Sequence, residues 1–165
     1  MPPLLPLDRR DVDLVVFDFD GVLTDNRVLV FADGAEAVFC NRADGLAFDA
    51  LRRHGIKVLI LSTERHPVVQ ARAAKLGVPA VVDCKDKAAA IAAICAEHDA
   101  RPERIMYVGN DVNDIGAMRQ VGISIAVADA HAAVVKAASH VLLTRGGEGV
   151  AREIVERVFG LDVIG

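Results

Sequence analysis

Short apolar runs that end in polar residues alternate along this chain with stretches of helical spacing, and that alternation limits the fold more than any other feature. Leu14 to Phe17, Lys57 to Leu61, Ala80 to Val82, Ile105 to Val108, Ser124 to Val127 and Val141 to Leu143 read as strands. Their interiors are largely apolar instead of alternating apolar with polar, which is the pattern of strands covered on both faces. Between them lie helix candidates. One is capped by Asp44 and ends at Gly55, one is opened by Pro67 and stopped by Gly77, and the rest run over Lys87 to His98, Asp114 to Val121, Ala132 to Ala138 and Glu148 to Phe159. This order predicts an α/β class fold, a Rossmann-like, doubly wound and mostly parallel sheet. No repeat or linker interrupts it, so residues 1–165 are expected to form a single domain.

One segment departs from the alternation. Val28 to Phe31 and Glu36 to Phe39 flank Ala32-Asp33-Gly34-Ala35, and Asp-Gly is a strong hairpin-turn signal. A small β-hairpin over about residues 28–39 is expected to project from the sheet. An isolated two-stranded hairpin is marginal in water, and its apolar Val28, Val30, Val38 and Phe39 need cover. A neighbouring subunit is the expected cover.

In open α/β sheets ligands gather outside the carboxyl ends of the strands, and four such exits carry chemically suggestive groups. The first is Asp18-Phe19-Asp20-Gly21-Val22-Leu23-Thr24-Asp25. Side chains two apart on extended backbone point the same way, so Asp18 and Asp20 can face one pocket. Two such carboxylates repel unless a cation neutralises them or one stays protonated, which suits a hard divalent metal beside a general acid. The second exit carries Ser62 and Thr63. The third leads into Asp83-Cys84-Lys85-Asp86-Lys87, and the fourth into Gly109-Asn110-Asp111-Val112-Asn113-Asp114. Taken singly, Ser62 also reads as a helix cap, Lys87 as a solvated lysine, and Asp111 and Asp114 as caps of the next helix. The four together, in this order, point to phosphoryl-transfer chemistry.

Bulk properties exclude several classes. A net charge of −4 supplies no electrostatic footprint for nucleic acid, so no such partner is expected. Cys40, Cys84 and Cys95 are odd in number and lack paired metal spacing, which argues against a disulfide framework and for a reducing cytoplasm. The start, Met1 to Pro6, lacks the pattern of a secretory signal, and no membrane span is expected. The five histidines are scattered and read as structural or surface residues.

The four exits, in order, resemble the motifs of the haloacid dehalogenase superfamily of phosphohydrolases. Asp18 to Asp25 is similar to its first motif, Leu61-Ser62-Thr63 to its second, Lys87 to its third, and Gly109 to Asp114 to its fourth. Receiver domains use similar groups but place the phosphorylated Asp on a later strand than the acidic pair, whereas here the pair opens the sheet. The resemblance implies Asp18 as nucleophile and Asp20 as general acid, with Ser62 and Lys87 holding phosphoryl oxygens. It also implies a Mg²⁺ site drawing on Asp18, the Asp20 backbone carbonyl and the fourth motif. There Asn110 stands where an Asp ligand is common, and Asp111 is the alternative ligand.

Neither interval between the early motifs has room for a cap domain. Small capless proteins with this hairpin resemble the sugar-acid phosphate phosphatases, acting on 3-deoxy-manno-octulosonate 8-phosphate or a nonulosonate 9-phosphate, and the carboxy-terminal domain of some acylneuraminate cytidylyltransferases. Arg145-Gly146-Gly147-Glu148-Gly149 looks like their Arg-Gly-Gly-x-Gly signature. Within this group Glu64, Arg72 and Lys75 resemble the nonulosonate branch. Arg72 and Lys75 lie three apart on one helix face, where two cations suit a substrate carboxylate or simply form a solvated face. The resemblance implies a phosphatase for a small phosphate ester, assembled as a homotetramer whose hairpin packs on a neighbouring subunit. The competing readings are a catalytically weak assembly module and a phosphatase for an unrelated small ester.

Overall fold

The apolar runs assemble into a six-stranded, wholly parallel sheet in the computed structural model, which describes residues 5–164. In chain order the sheet contains β1 (Leu14–Phe17), β4 (Lys57–Leu61), β5 (Ala80–Val81), β6 (Ile105–Gly109), β7 (Ile123–Ala126) and β8 (His140–Val141). The intervening β2 (Leu29–Val30) and β3 (Glu36–Ala37) form a separate antiparallel hairpin. The spatial order β5-β4-β1-β6-β7-β8 puts β1 in the middle, with later strands laid outward on either side. The strand order reverses beside β1, which is where doubly wound sheets bind ligands. The reading of Met1 to Pro6 falls mostly outside the described residues.

Alternate strand residues feed two cores. Val15 and Phe17 of β1, with Ile60 and Val108, pack beneath α1 (Arg42–Arg53) and α2 (Pro67–Leu76). Leu14, Val16, Leu59 and Tyr107 pack on the opposite face beneath α3 (Lys87–His98) and α4 (Ile115–Met118). On the first face Phe17 meets Phe48 edge to face, with ring centroids 5.2 Å apart. The remaining helices are α5 (Ala132–Ala137) and α6 (Val150–Glu153), the latter continuing as a wider π-type turn over Ile154–Val158. No described helix is long and apolar enough to cross a membrane.

Local readings shift in informative ways. Asp44 does not cap α1: the cap is Asn41, whose side chain accepts from the Ala43 amide. Asp44 is instead buried and accepts from the Ala151 amide at 3.0 Å, tying α1 to α6, and burial pushes its carboxyl up to about 6. The helix expected from Asp114 to Val121 is a 3-10 turn, Val112–Asp114, followed by the short α4. The hairpin is paired over fewer residues than its sequence pattern suggests, and Val28, Leu29, Val30, Phe31 and Phe39 are all at least half exposed.

The glycines of the Arg145-Gly146-Gly147 segment serve close backbone approach. Their amides are already committed, Gly146 to Asp129 Oδ1 at 2.8 Å and Gly147 to the Val22 carbonyl at 3.0 Å. A Cβ on Gly146 would lie 2.0 Å from the Gly21 carbonyl oxygen, so this segment buttresses the loop that follows β1. Gly146→Ala should therefore cost about 1–3 kcal/mol through a forced backbone shift, read as a lower urea midpoint. An unchanged midpoint would contradict the buttress.

Candidate active site

The chain leaves β1 through a loop closed on itself. The Leu23 and Thr24 amides both donate to the Phe19 carbonyl, at 2.9 and 3.2 Å, and Thr24 Oγ1 accepts from the Gly21 amide at 3.1 Å. Gly21 adopts a φ of +84°, and a Cβ there would strike the Asn110 amide group at 2.0 Å. The loop thus holds Asp18 and Asp20 on one wall of a cavity of about 180 Å³, opposite Asn110 and Asp111. Thr63 and Glu64 complete its rim, and Asn113 Nδ2 donates to Thr63 Oγ1 at 3.1 Å across the second and fourth exits.

Beneath this cavity lies a buried ionic cluster. Lys87, the first residue of α3, donates through Nζ to Asp18 Oδ1 at 2.6 Å and to Asp114 Oδ1 at 2.7 Å. Asp114 Oδ1 also accepts from the Tyr107 hydroxyl at 2.7 Å. Its other oxygen accepts from the backbone amides of Asn110 at 2.9 Å and Asp111 at 3.2 Å. Asp114 is therefore saturated and shapes the fourth-motif loop while fixing Lys87. Sequence reasoning missed Tyr107; its only signal was a lone tyrosine in an otherwise aliphatic buried strand.

The cluster carries two carboxylates against one ammonium, and the imbalance falls on Asp18. Burial and the nearby Asp114 raise its carboxyl to about 7, although the Lys87 contact works the other way. Burial opposes the Lys87 ammonium, but the two carboxylates outweigh it and hold it above the ordinary lysine value. Burial, followed by the charge of Glu64, also raises Asp20, which favours its proton-carrying form. Burial and Asp114 push the Tyr107 phenol well above its ordinary value, so it remains a donor.

The residues here fit a hard cation. Asn110 Oδ1 is buried without a hydrogen-bond partner, although its backbone amide is satisfied. An orphaned amide oxygen facing two carboxylates is a costly arrangement unless a cation or water completes it. No group of three or more His, Cys, Asp or Glu among the described residues forms a metal cluster, so a cation here would draw on the Asp18 carboxylate, the Asn110 amide oxygen and backbone oxygen, leaving the Asp20 carboxyl free to carry a proton. Asp111 lies at the rim with Oδ1 already accepting from the Val112 amide at 2.7 Å.

The other expected residues divide. Ser62 is buried at the end of β4, with Oγ accepting from the Glu64 amide at 3.2 Å and its hydroxyl proton free to donate elsewhere. Glu64 lines the cavity. Arg72 and Lys75 do not reach it. Val69, Ala73 and Leu76 occupy the buried face of α2, so Arg72 and Lys75 fall on the side facing α1, lining a separate groove with Arg42 and Leu46. Arg72 Nη2 donates there to the Asn41 carbonyl at 2.9 Å.

This geometry agrees with what the chain is similar to. A family model described as haloacid dehalogenase-like hydrolase matches residues 80–154. The 3-deoxy-D-manno-octulosonate 8-phosphate phosphatase KdsC of Yersinia pestis is 32% identical over 149 residues, spanning 90% of this chain and 80% of that relative. The chain belongs to the haloacid dehalogenase-like hydrolases. A HAD family hydrolase structure from Streptomyces avermitilis MA-4680 superposes with a TM-score of 0.88 at 48% identity, covering 91% of this chain and 86% of that one. The Moraxella catarrhalis 3-deoxy-D-manno-octulosonate 8-phosphate phosphatase, solved with magnesium ion, phosphate ion and KDO, matches with a TM-score of 0.84 at 26% identity, over 88% and 84% of the two chains. The present hydrolase is a phosphatase, similar over most of its length to relatives of this sugar-acid group.

If Asp114 is the hub of the cluster, its two kinds of partner should differ in cost. Tyr107→Phe should lose about 1 kcal/mol, one hydrogen bond among four. Asp114→Asn should lose about 3 kcal/mol or more, because all four partners are donors and the new amide nitrogen must face two of them, leaving buried groups unsatisfied. Urea unfolding of both variants checks this, and equal small losses would contradict it.

Proposed function

We propose that this hydrolase is a Mg²⁺-dependent phosphomonoesterase that acts on a 2-keto sugar-acid phosphate through an aspartyl-phosphate on Asp18. The observation that carries the reading is the orphaned Asn110 oxygen facing Asp18 and Asp20 above the Lys87 cluster. An assembly module would have no need of that arrangement. Asp18 through its carboxylate, Asp20 through its backbone carbonyl and Asn110 through its amide oxygen are the residues proposed to hold the ion, with Asp111 at the rim; magnesium in the Moraxella relative supports its identity. Bound there, Mg²⁺ would neutralise the Asp18 carboxylate and the phosphoryl oxygens.

This chain's own residues do the rest. The Asp18 carboxylate attacks phosphorus while Asp20, with its raised proton affinity, protonates the departing ester oxygen. Asp20, now a carboxylate, then takes a proton from the water that cleaves the acyl-phosphate. Lys87 has one ammonium proton beyond the two given to Asp18 and Asp114, and Ser62 has its hydroxyl proton, so both can donate to equatorial oxygens.

The curated relatives favour an eight-carbon acid, 3-deoxy-manno-octulosonate 8-phosphate, as substrate. Glu64 on the cavity rim favours a second reading, a nine-carbon nonulosonate 9-phosphate. We also propose a homo-oligomer, a tetramer as the resemblance implies, in a reducing cytoplasm. The exposed apolar hairpin supports the assembly, with Phe39 72% exposed. Since Arg72 and Lys75 face away from their own cavity, they would serve a substrate carboxylate only in a neighbouring copy's site.

A panel of phosphorylated sugar acids of both lengths, assayed for phosphate release with and without Mg²⁺, tests the reading. Release is expected only with the metal and to fall at least 10³-fold in Asp18→Asn. No release from any member with metal present, or retained turnover in the folded variant, would overturn it.

A further inference from the structure

A second chamber, of about 250 Å³, opens beside the phosphate cavity and shares Asp20, Asn26 and Glu64 with it. One wall is the hairpin, contributing Val28, Glu36 and Val38. The facing wall is the start of α2, contributing His66 and Val68. A phosphate ester bound with phosphorus at Asp18 would place its leaving group here, on the side of the general acid.

A single polar pair joins the two walls. His66 is the N-cap of α2, and its Nδ1 accepts from the Val68 amide at 3.3 Å. With Nδ1 committed as an acceptor, neutral His66 carries its proton on Nε2. Nε2 lies 3.3 Å from Glu36 Oε2 on β3. The helix cap therefore leaves Nε2 as the ring atom turned to the hairpin, in a close polar contact with Glu36 and not an aligned hydrogen bond.

The chamber's charge also selects a ligand chemistry. Glu36, Glu64 and Asp20 all face it. Its arginine, Arg27, is held by Asp25 through two contacts of 2.9 and 2.7 Å. Acceptors with no free cation among them suit a donor-rich neutral group and repel a carboxylate. We infer that Glu36 and His66 act as a positioning pair for a polyhydroxylated leaving group: His66 holds the hairpin wall in place, and Glu36 offers its second oxygen to a hydroxyl. The acid end of a keto acid then points out of the chamber. This deepens the proposed function and rests on it.

The test compares selectivity, the ratio of kcat/KM for the best sugar-acid phosphate to kcat/KM for acetyl phosphate, which has no hydroxyls. His66→Asn keeps an N-cap side chain but cannot span to Glu36. Glu36→Ala removes the acceptor at a half-buried hairpin position outside the main core. Each should lower the ratio about tenfold, mostly through KM for the sugar acid. The double variant should lose little more than either single one. Glu36→Gln, which keeps an acceptor oxygen, should recover part of the loss. An unchanged ratio in folded Glu36→Ala, or fully additive losses, would overturn the pair. If the wild-type enzyme hydrolyses no panel member, the proposed function falls and this inference with it. If it discriminates and the variants do so equally, only the inference falls.

Discussion

Two buried carboxylates sharing one buried ammonium set the terms for everything around the cavity at the end of β1. Lys87 is 3% exposed and Asp114 fully buried, so neither can be left without a partner. Asp114 meets its share through Lys87, the Tyr107 hydroxyl and two backbone amides. Asp18 has only one side of its need met and faces the cavity with the excess charge. The site is thus built with a deficit that either a proton or a cation fills, and the orphaned Asn110 oxygen sits where the cation would complete its contacts.

The sheet topology places this cluster. β1 lies between β4 and β6, so the exits of three adjacent strands and the first turn of α3 converge on one point. The same topology leaves that point open, because only the hairpin and α1 intervene between β1 and β4. Cover for the reacting phosphate must come from the hairpin and from whatever packs on its apolar face. The chamber beside Asp20 shows that the hairpin already supplies one wall within a single chain.

Much of this was readable from residues alone, for physical reasons. Two-face burial makes the central strands unmistakable as apolar runs, and Asp18, Asp20, Ser62 and Lys87 follow from their places at strand and helix ends. What escaped depended on tertiary contacts. Asp44 looks like a helix cap, but Asn41 takes that role and leaves Asp44 to reach α6. Arg72 and Lys75 share a helix face as spacing requires, yet spacing does not say that the face turns toward α1. The Arg145-Gly146-Gly147 segment matches a signature, but only the tertiary contacts show its amides spent on Asp129 and Val22. Tyr107 acts through a hydrogen bond, and His66 caps α2 while touching Glu36, neither of which any periodicity announces.

The charge deficit at Asp18 is open to direct measurement by ¹³C NMR titration of its carboxyl carbon. A raised carboxyl favours the protonated fold, so without a cation its stabilising effect is complete at low pH and fades as pH climbs from the ordinary value of 3.8 toward about 7. The account predicts a midpoint near 7 in metal-free protein, moving down by at least about one unit when Mg²⁺ is added, since the ion and the proton compete for one oxygen pair. A midpoint near 4 that ignores Mg²⁺ would contradict it.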